Sequence, residues 1–234
     1  MTKSATGQPP HGPAAGRPAR DGVLLVVAGP SGVGKGTIIA GVRERHPAVG
    51  LSISCTTRPP RPGEQDGCDY FFVTLDEFQR LRDARDLLEC AVVHGDHWYG
   101  TPRAPVEDAL ARGEDILLEI DYQGAESVRR ALGDRAVLAF VAPPSWQALL
   151  DRLDRRHTEE PTELARRLAS ARREFQHMGL FDYVIVNDEL ERAVAELEAI
   201  LLAERLRLRR VDWQALQARL LAEADRPGGG DSHA

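Results

Sequence analysis

The sequence predicts an α/β fold: a three-layer parallel sheet with helices on both faces, plus a small inserted lobe and a lid. Three observations predict it. Continuous apolar runs recur along the chain, as buried parallel strands require. Helical stretches follow them, the alternation that right-handed crossovers produce. Between residues 52 and 99 that alternation stops, and short aromatic or β-rich pieces take its place.

The elements follow in chain order. Residues 1–20 contain no acid, are rich in Pro, Gly and Ala, and carry Lys3, Arg17 and Arg20. Lacking an apolar stretch, they do not form a secretory signal and read as a disordered tail. Residues 23–28 form the first buried strand, followed by a glycine-rich turn and a helix over about 37–45. The inserted lobe, about 52–101, has β-rich pieces at 70–73 and 87–93 around a helix near 76–82. A second buried strand over 115–120 leads into a helix through Val128 and Leu132. The third strand, 137–141, leads into a helix from near Ser145, and a lid spans about 152–167. The fourth strand is 183–186. One long helical stretch then runs from Leu190 to about Ala224, with Val194, Leu197, Leu201 and Leu208 as a single apolar stripe. Its last third, with Trp213, Leu216, Leu220 and Leu221, is open to packing on the domain or on a partner. The main domain is therefore 21–209, with a C-terminal helix at 210–226 and a loose tail at 227–234.

Composition narrows the function. The 234 residues, 42% hydrophobic and 28% charged, suit one globular domain with small lobes. A net charge of -6 supplies no general field for nucleic acid, so any phosphate binding falls to local arginine clusters. No apolar run reaches the roughly 20 residues of a membrane span. Cys55, Cys68 and Cys90 match neither a zinc pattern nor a disulfide framework, and read as reduced thiols of a cytoplasmic protein.

The stretch Gly29, Pro30, Ser31, Gly32, Val33, Gly34, Lys35, Gly36, Thr37 follows the first strand and opens a helix. That is the context of a P-loop, and it makes the sheet P-loop NTPase-type. Glycines let successive N–H groups turn toward one anion, the helix N-terminus adds its dipole, and Lys35 brings a full charge to the β- and γ-phosphates. Gly36 stands where a serine or threonine is usual, and Thr37 is the nearest hydroxyl. Ligation of Mg²⁺ through water is therefore expected, with no certain protein ligand. Glu119 and Asp121 close the second strand on one face, at the carboxyl end where ligands of open α/β sheets sit.

In Arg58-Pro59-Pro60-Arg61-Pro62, Pro59 keeps Arg58 out of the helical region. Polyproline II geometry then aims Arg58 and Arg61 the same way, roughly 9 Å apart, within reach of one phosphate. A second basic set comprises Arg152 and Arg156, four apart on one helix face, with Arg166 and Arg167 on the next helix. Arginines around a short polar loop suit a lid that closes over phosphates.

With those residues in view, the chain resembles the guanylate kinases, a branch of the nucleoside-monophosphate kinases. The resemblance covers about 23–209 and is most specific at 29–37, 52–63, 69–72, 120–124 and 185–188. It implies ATP and GMP as the partners, with Mg²⁺ accompanying ATP, and an inserted lobe that binds the monophosphate. It further implies that Arg58, Arg61 and Tyr70 hold the GMP phosphate with Tyr99 close by. Glu89, Ser54 and Thr101 read guanine, and Asp121 lies near the acceptor. Lys35, Arg58, Arg152, Arg156 and Arg167 serve the transfer, and Asn187 meets the adenine region beside the P-loop. The chemistry is consistent: guanine offers N1–H and the N2 amine side by side, which a carboxylate accepts together, whereas adenine offers neither. Two other readings remain open at this point, a P-loop kinase of another phosphorylated small molecule and a phosphopeptide-binding module without catalysis. Monomer and homo-oligomer are equally compatible with the sequence.

Overall fold

β1 (Leu24–Ala28) is buried at every residue and lies mid-sheet. In the computed structural model, which describes residues 18–93, 97–154 and 161–225, it pairs in parallel with β7 (Ile116–Glu119) and β8 (Ala136–Ala142). β2 (Gly50–Leu51) and β9 (Tyr183–Val186) complete a parallel sheet of order β2-β7-β1-β8-β9. Side-chain alternation along β1 divides the core. Val23, Leu25 and Val27 face α1 (Lys35–Arg45) and α7 (Leu190–Arg205), meeting Ile38, Val42, Val194 and Leu197. Leu24, Val26 and Ala28 face α3 (Arg103–Ala111) and α4 (Tyr122–Leu132), meeting Val106, Leu110, Ala125 and Val128. The three-layer parallel architecture is thus as expected.

The inserted lobe is a second sheet of order β4-β3-β6-β5, built from β3 (Cys55–Thr56), β4 (Phe71–Phe72), β5 (Leu87–Val93) and β6 (His97–Pro102). α2 (Leu75–Asp83) closes it. Thr74 and Glu77 form a reciprocal capping box at its start, and Phe78 is fully buried against Cys55, Leu87 and Trp98. Trp98 therefore belongs to the lobe's own core, and an Arg82 guanidinium lies 5.4 Å from its ring centroid. α5 (Trp146–Asp154) and α6 (Pro161–Gln176) pack through Leu149, Leu153 and Ala171. The loop between them lies outside the described residues.

The C-terminal stretch departs from the expected single helix. α7 ends at Arg205, a 3₁₀ turn spans Leu208–Arg210, and α8 (Trp213–Ala224) follows. The break has a backbone cause. The Asp21 N–H donates to the Arg210 carbonyl and the Asp212 N–H to the Ala19 carbonyl, so pairing with the N-terminal segment takes these groups from the helix. Asp212 then caps α8 by accepting from the Ala215 N–H. Leu208, read as part of the apolar stripe, is consequently 64% exposed, while Val194, Leu197 and Leu201 are buried. Cys55, Cys68 and Cys90 are free thiols. Among the described residues no helix is long and apolar enough to cross a membrane.

Candidate active site

The carboxyl ends of β1 and β7 open into a cleft of about 590 Å³ whose opposite wall is the inserted lobe. The glycine-rich turn after β1 and the start of α1 supply Gly29, Ser31 and Lys35, and the end of β7 with the residues after it supplies Glu119, Ile120 and Asp121. The lobe contributes Ser54, Arg58, Arg61, Tyr70, Glu89 and Tyr99. Three stretches widely separated in sequence thus meet in one space.

On the sheet side, Gly34 caps α1 at φ 99°, and a Cβ there would stand 2.5 Å from Asn187 Nδ2. That amide donates to the Val33 carbonyl at 2.7 Å, and the Arg152 guanidinium donates to the same carbonyl at 3.1 Å and to the Asn187 carbonyl at 2.7 Å. Asn187 and Arg152 therefore brace the loop from behind, and neither lines the cleft. Lys35 Nζ donates to the Gly29 and Pro30 carbonyls at 2.6 and 3.2 Å. Burial lowers its affinity for the proton, and the charges of Glu119, Glu174 and Asp121 oppose that. A Cβ at Gly36 would lie 3.4 Å from Glu119 Oε2, so the longer acid reaches the helix start where a hydroxyl is usual.

On the lobe side, Arg58 is 8% exposed. Its two terminal nitrogens donate to Glu64 at 2.6 and 2.7 Å, its Nε donates to the Tyr99 hydroxyl at 3.1 Å, and its guanidinium sits 5.0 Å from the Tyr70 ring centroid. The paired hydrogen bonds raise the Arg58 pKa and hold the Glu64 carboxyl well below the usual carboxylate range. Glu64 also accepts from the Arg61 N–H at 2.8 Å, in a turn that keeps both arginines on the cleft.

Glu89, on β5, is 8% exposed and accepts from the Thr101 hydroxyl at 2.7 Å. Thr101 is wholly buried and reaches the cleft only through this acid. A Cβ at Gly124 would lie 3.2 Å from Glu89 Oε2, so the carboxylate sits close against the start of α4. Burial pushes the Glu89 carboxyl up to about 7; the Thr101 hydrogen bond opposes the rise and Asp121 adds to it. Asp121 itself caps α4, accepting from the Gly124 N–H at 2.8 Å.

The guanylate kinase family model matches residues 21–204. The chain belongs to the guanylate kinase family. It is similar to the guanylate kinase of Symbiobacterium thermophilum, 51% identical over 80% of this chain and 87% of that one. With the guanylate kinase of Chelativorans sp. the identity is 47% over 87% of this chain and 94% of the relative. The crystal structure of guanylate kinase from Anaplasma phagocytophilum superposes with a TM-score of 0.70 at 34% identity, covering 91% of this chain and all of that one.

Within this guanylate kinase fold, Arg156 lies outside the described residues, and Arg167 on α6 is half-buried and not among the cleft-lining residues. Two acids escaped the sequence reading. Glu64 had a signal, since it follows the Arg-Pro-Pro-Arg-Pro-Gly run by one residue and a turn there returns it to Arg58. Glu174 had none: it lies in a charged helical stretch whose register against the cleft depends on how α6 packs.

Proposed function

We propose that this cleft transfers the γ-phosphate of ATP directly to GMP, giving ADP and GDP. The observation that carries the reading is the convergence of Lys35, Arg58, Arg61 and Glu89 on one cleft in a chain of the guanylate kinase family. The P-loop N–H groups and Lys35 hold the triphosphate. Arg58 and Arg61, with Tyr70 and Tyr99 beside them, hold the acceptor phosphate, and Glu64 keeps Arg58 aimed. Ionised Glu89 accepts from guanine N1–H and the N2 amine, Ser54 contacts the base edge, and Thr101 orients Glu89. Asp121 lies beside the acceptor oxygen. Arg156 and Arg167 serve the transferring phosphoryl group, and Arg152 serves the transfer by bracing the loop.

The chemistry asked of the protein is positioning and neutralisation, because two polyphosphates repel until cations surround them. Closure over them excludes water and limits hydrolysis. The hard oxygen donors of Glu119 and Asp121 fit Mg²⁺ held through water, and the ion supplies charge neutralisation on the triphosphate. No cluster of three His, Cys, Asp or Glu side chains among the described residues is preassembled for a metal, which suits an ion arriving with the nucleotide. No phosphoenzyme is formed.

The test is turnover by the purified chain with Mg·ATP and each monophosphate in turn. GMP is expected to exceed AMP in kcat/KM by about 10⁴-fold or more, since AMP leaves a buried acid unpaired. A preference for AMP or for a pyrimidine monophosphate overturns the guanine assignment, and nucleotide binding without turnover restores the non-catalytic module.

A further inference from the structure

The guanylate kinase reading leaves one buried acid of the cleft without a task. Glu174 lies in the last turns of α6, is 6% exposed, and lines the cleft with Lys35, Glu119 and Asp121. Among the described residues, its Oε1 has a single long contact, with the Ser170 hydroxyl at 3.4 Å, and its Oε2 is buried with no hydrogen-bond partner. Such an arrangement costs stability, because a desolvated carboxylate oxygen is left unmatched. Burial accordingly raises the Glu174 carboxyl pKa; Lys35 is the strongest charge acting the other way, Asp121 adds to the rise, and Arg173 opposes it.

The carboxylate is fixed in place. Ala171, one turn earlier, is buried against Leu149 and Leu153. Phe175 packs its ring against Phe140 and Trp146 at 6.1 and 6.2 Å between centroids. His177 stacks on Tyr122 at 4.3 Å, which ties the end of α6 to the residue after Asp121. α6 therefore presents Glu174 to the cleft from a rigid base, although the same helix begins in the lid. On the other side, an ammonium has three N–H donors. Among the described residues Lys35 spends two of them on the Gly29 and Pro30 carbonyls. The third N–H of Lys35 is left for a ligand, and the unmatched Glu174 carboxylate lines the same cleft as this ammonium with no direct ion pair between them among the described residues.

We propose that Glu174 is a positioning residue for phosphoryl transfer, a fixed acid whose charge holds the Lys35 ammonium at the cleft and leaves its third N–H to the ATP phosphates. It acts through Lys35 and touches neither nucleotide. Retaining an unmatched buried charge is then a cost in stability carried for function. The inference rests on the guanylate kinase reading, and wild-type turnover of ATP with GMP, measured alongside, tests that reading separately.

The experiment compares wild type with Glu174→Gln and Glu174→Asp in steady-state kinetics against each substrate, with thermal melts of all three. Glu174→Gln keeps the shape and removes the charge. It is expected to raise KM for ATP roughly tenfold or more, the factor associated with removing a fixed opposite charge near a partly desolvated ammonium, while KM for GMP stays near wild type. Its Tm is expected at or above wild type, and Glu174→Asp is expected to recover part of the ATP affinity. A Glu174→Gln enzyme with unchanged or lower KM for ATP, or with both KM values raised alike, overturns the proposal. So does a fall in Tm on Glu174→Gln, which would make the carboxylate a structural group.

Discussion

Replacing Glu89 by Gln separates base recognition from everything else in the cleft. The carboxylate can accept from two guanine donors at once, whereas the amide presents one acceptor and one donor to the same edge. Each hydrogen bond to a charged group contributes about 1.5–3 kcal/mol. Losing one of the two, at about 3 kcal/mol, lowers kcat/KM for GMP roughly a hundredfold and leaves KM for ATP unchanged. Stability moves the other way. The carboxyl goes from 4.5 to about 7 on folding, first through burial, so the folded chain binds more protons than the unfolded one between those values. The fold therefore loses stability as pH rises through that window, by about 3 kcal/mol once above it. Glu89→Gln removes the cost: its Tm should exceed wild type at pH 8, and the difference should close at pH 4. Wild-type kcat/KM for GMP should fall as pH drops below about 7, because a protonated carboxyl loses an acceptor. Coupled-enzyme kinetics and melts at the two pH values read both effects. Equal losses on ATP and GMP, or a lower Tm at pH 8, would contradict a base-reading role for a buried Glu89 carboxylate.

Two further substitutions separate loop geometry from scaffold. Gly34→Ala puts a methyl group 2.5 Å from Asn187 Nδ2 at a left-handed position; it should raise KM for ATP at least tenfold while costing about 1–3 kcal/mol of stability, read by denaturant unfolding beside kinetics. Asp115→Asn acts at the opposite pole, where the buried acid accepts from Arg20 at 2.7 and 2.9 Å, Arg205 at 2.6 Å and the Val23 N–H at 2.8 Å. Breaking that clasp between the N-terminal segment and α7 should cost about 3–5 kcal/mol in urea unfolding, with both KM values near wild type.

The parallel core was legible because its strands are written as unbroken apolar runs, with Leu24–Ala28 read one residue long and Tyr183–Val186 read to the residue. The glycine-rich turn between β1 and α1 was legible because its glycines and lysine stand at fixed spacing between a strand and a helix. Long-range partnerships were hidden. Nothing local says that Thr101 donates to Glu89, or that Asn187 and Arg152 share the Val33 carbonyl. The break after α7 was hidden for the same reason: its periodicity continues into Leu208, and what ends the helix is pairing with residues 19–21. Helix propensity and an apolar stripe do not record a competing backbone partner almost two hundred residues away.

Under the proposed function, one cleft holds ATP on the P-loop and GMP in the inserted lobe, with Glu89 reading the base. A crystal structure of the chain with GMP and a non-hydrolysable ATP analogue tests it directly. Glu89 oxygens are expected within hydrogen-bond distance of guanine N1 and N2, the GMP phosphate between Arg58 and Arg61, and the γ-phosphate beside Lys35. A guanine ring bound away from Glu89, or a GMP phosphate that meets neither arginine, would contradict it.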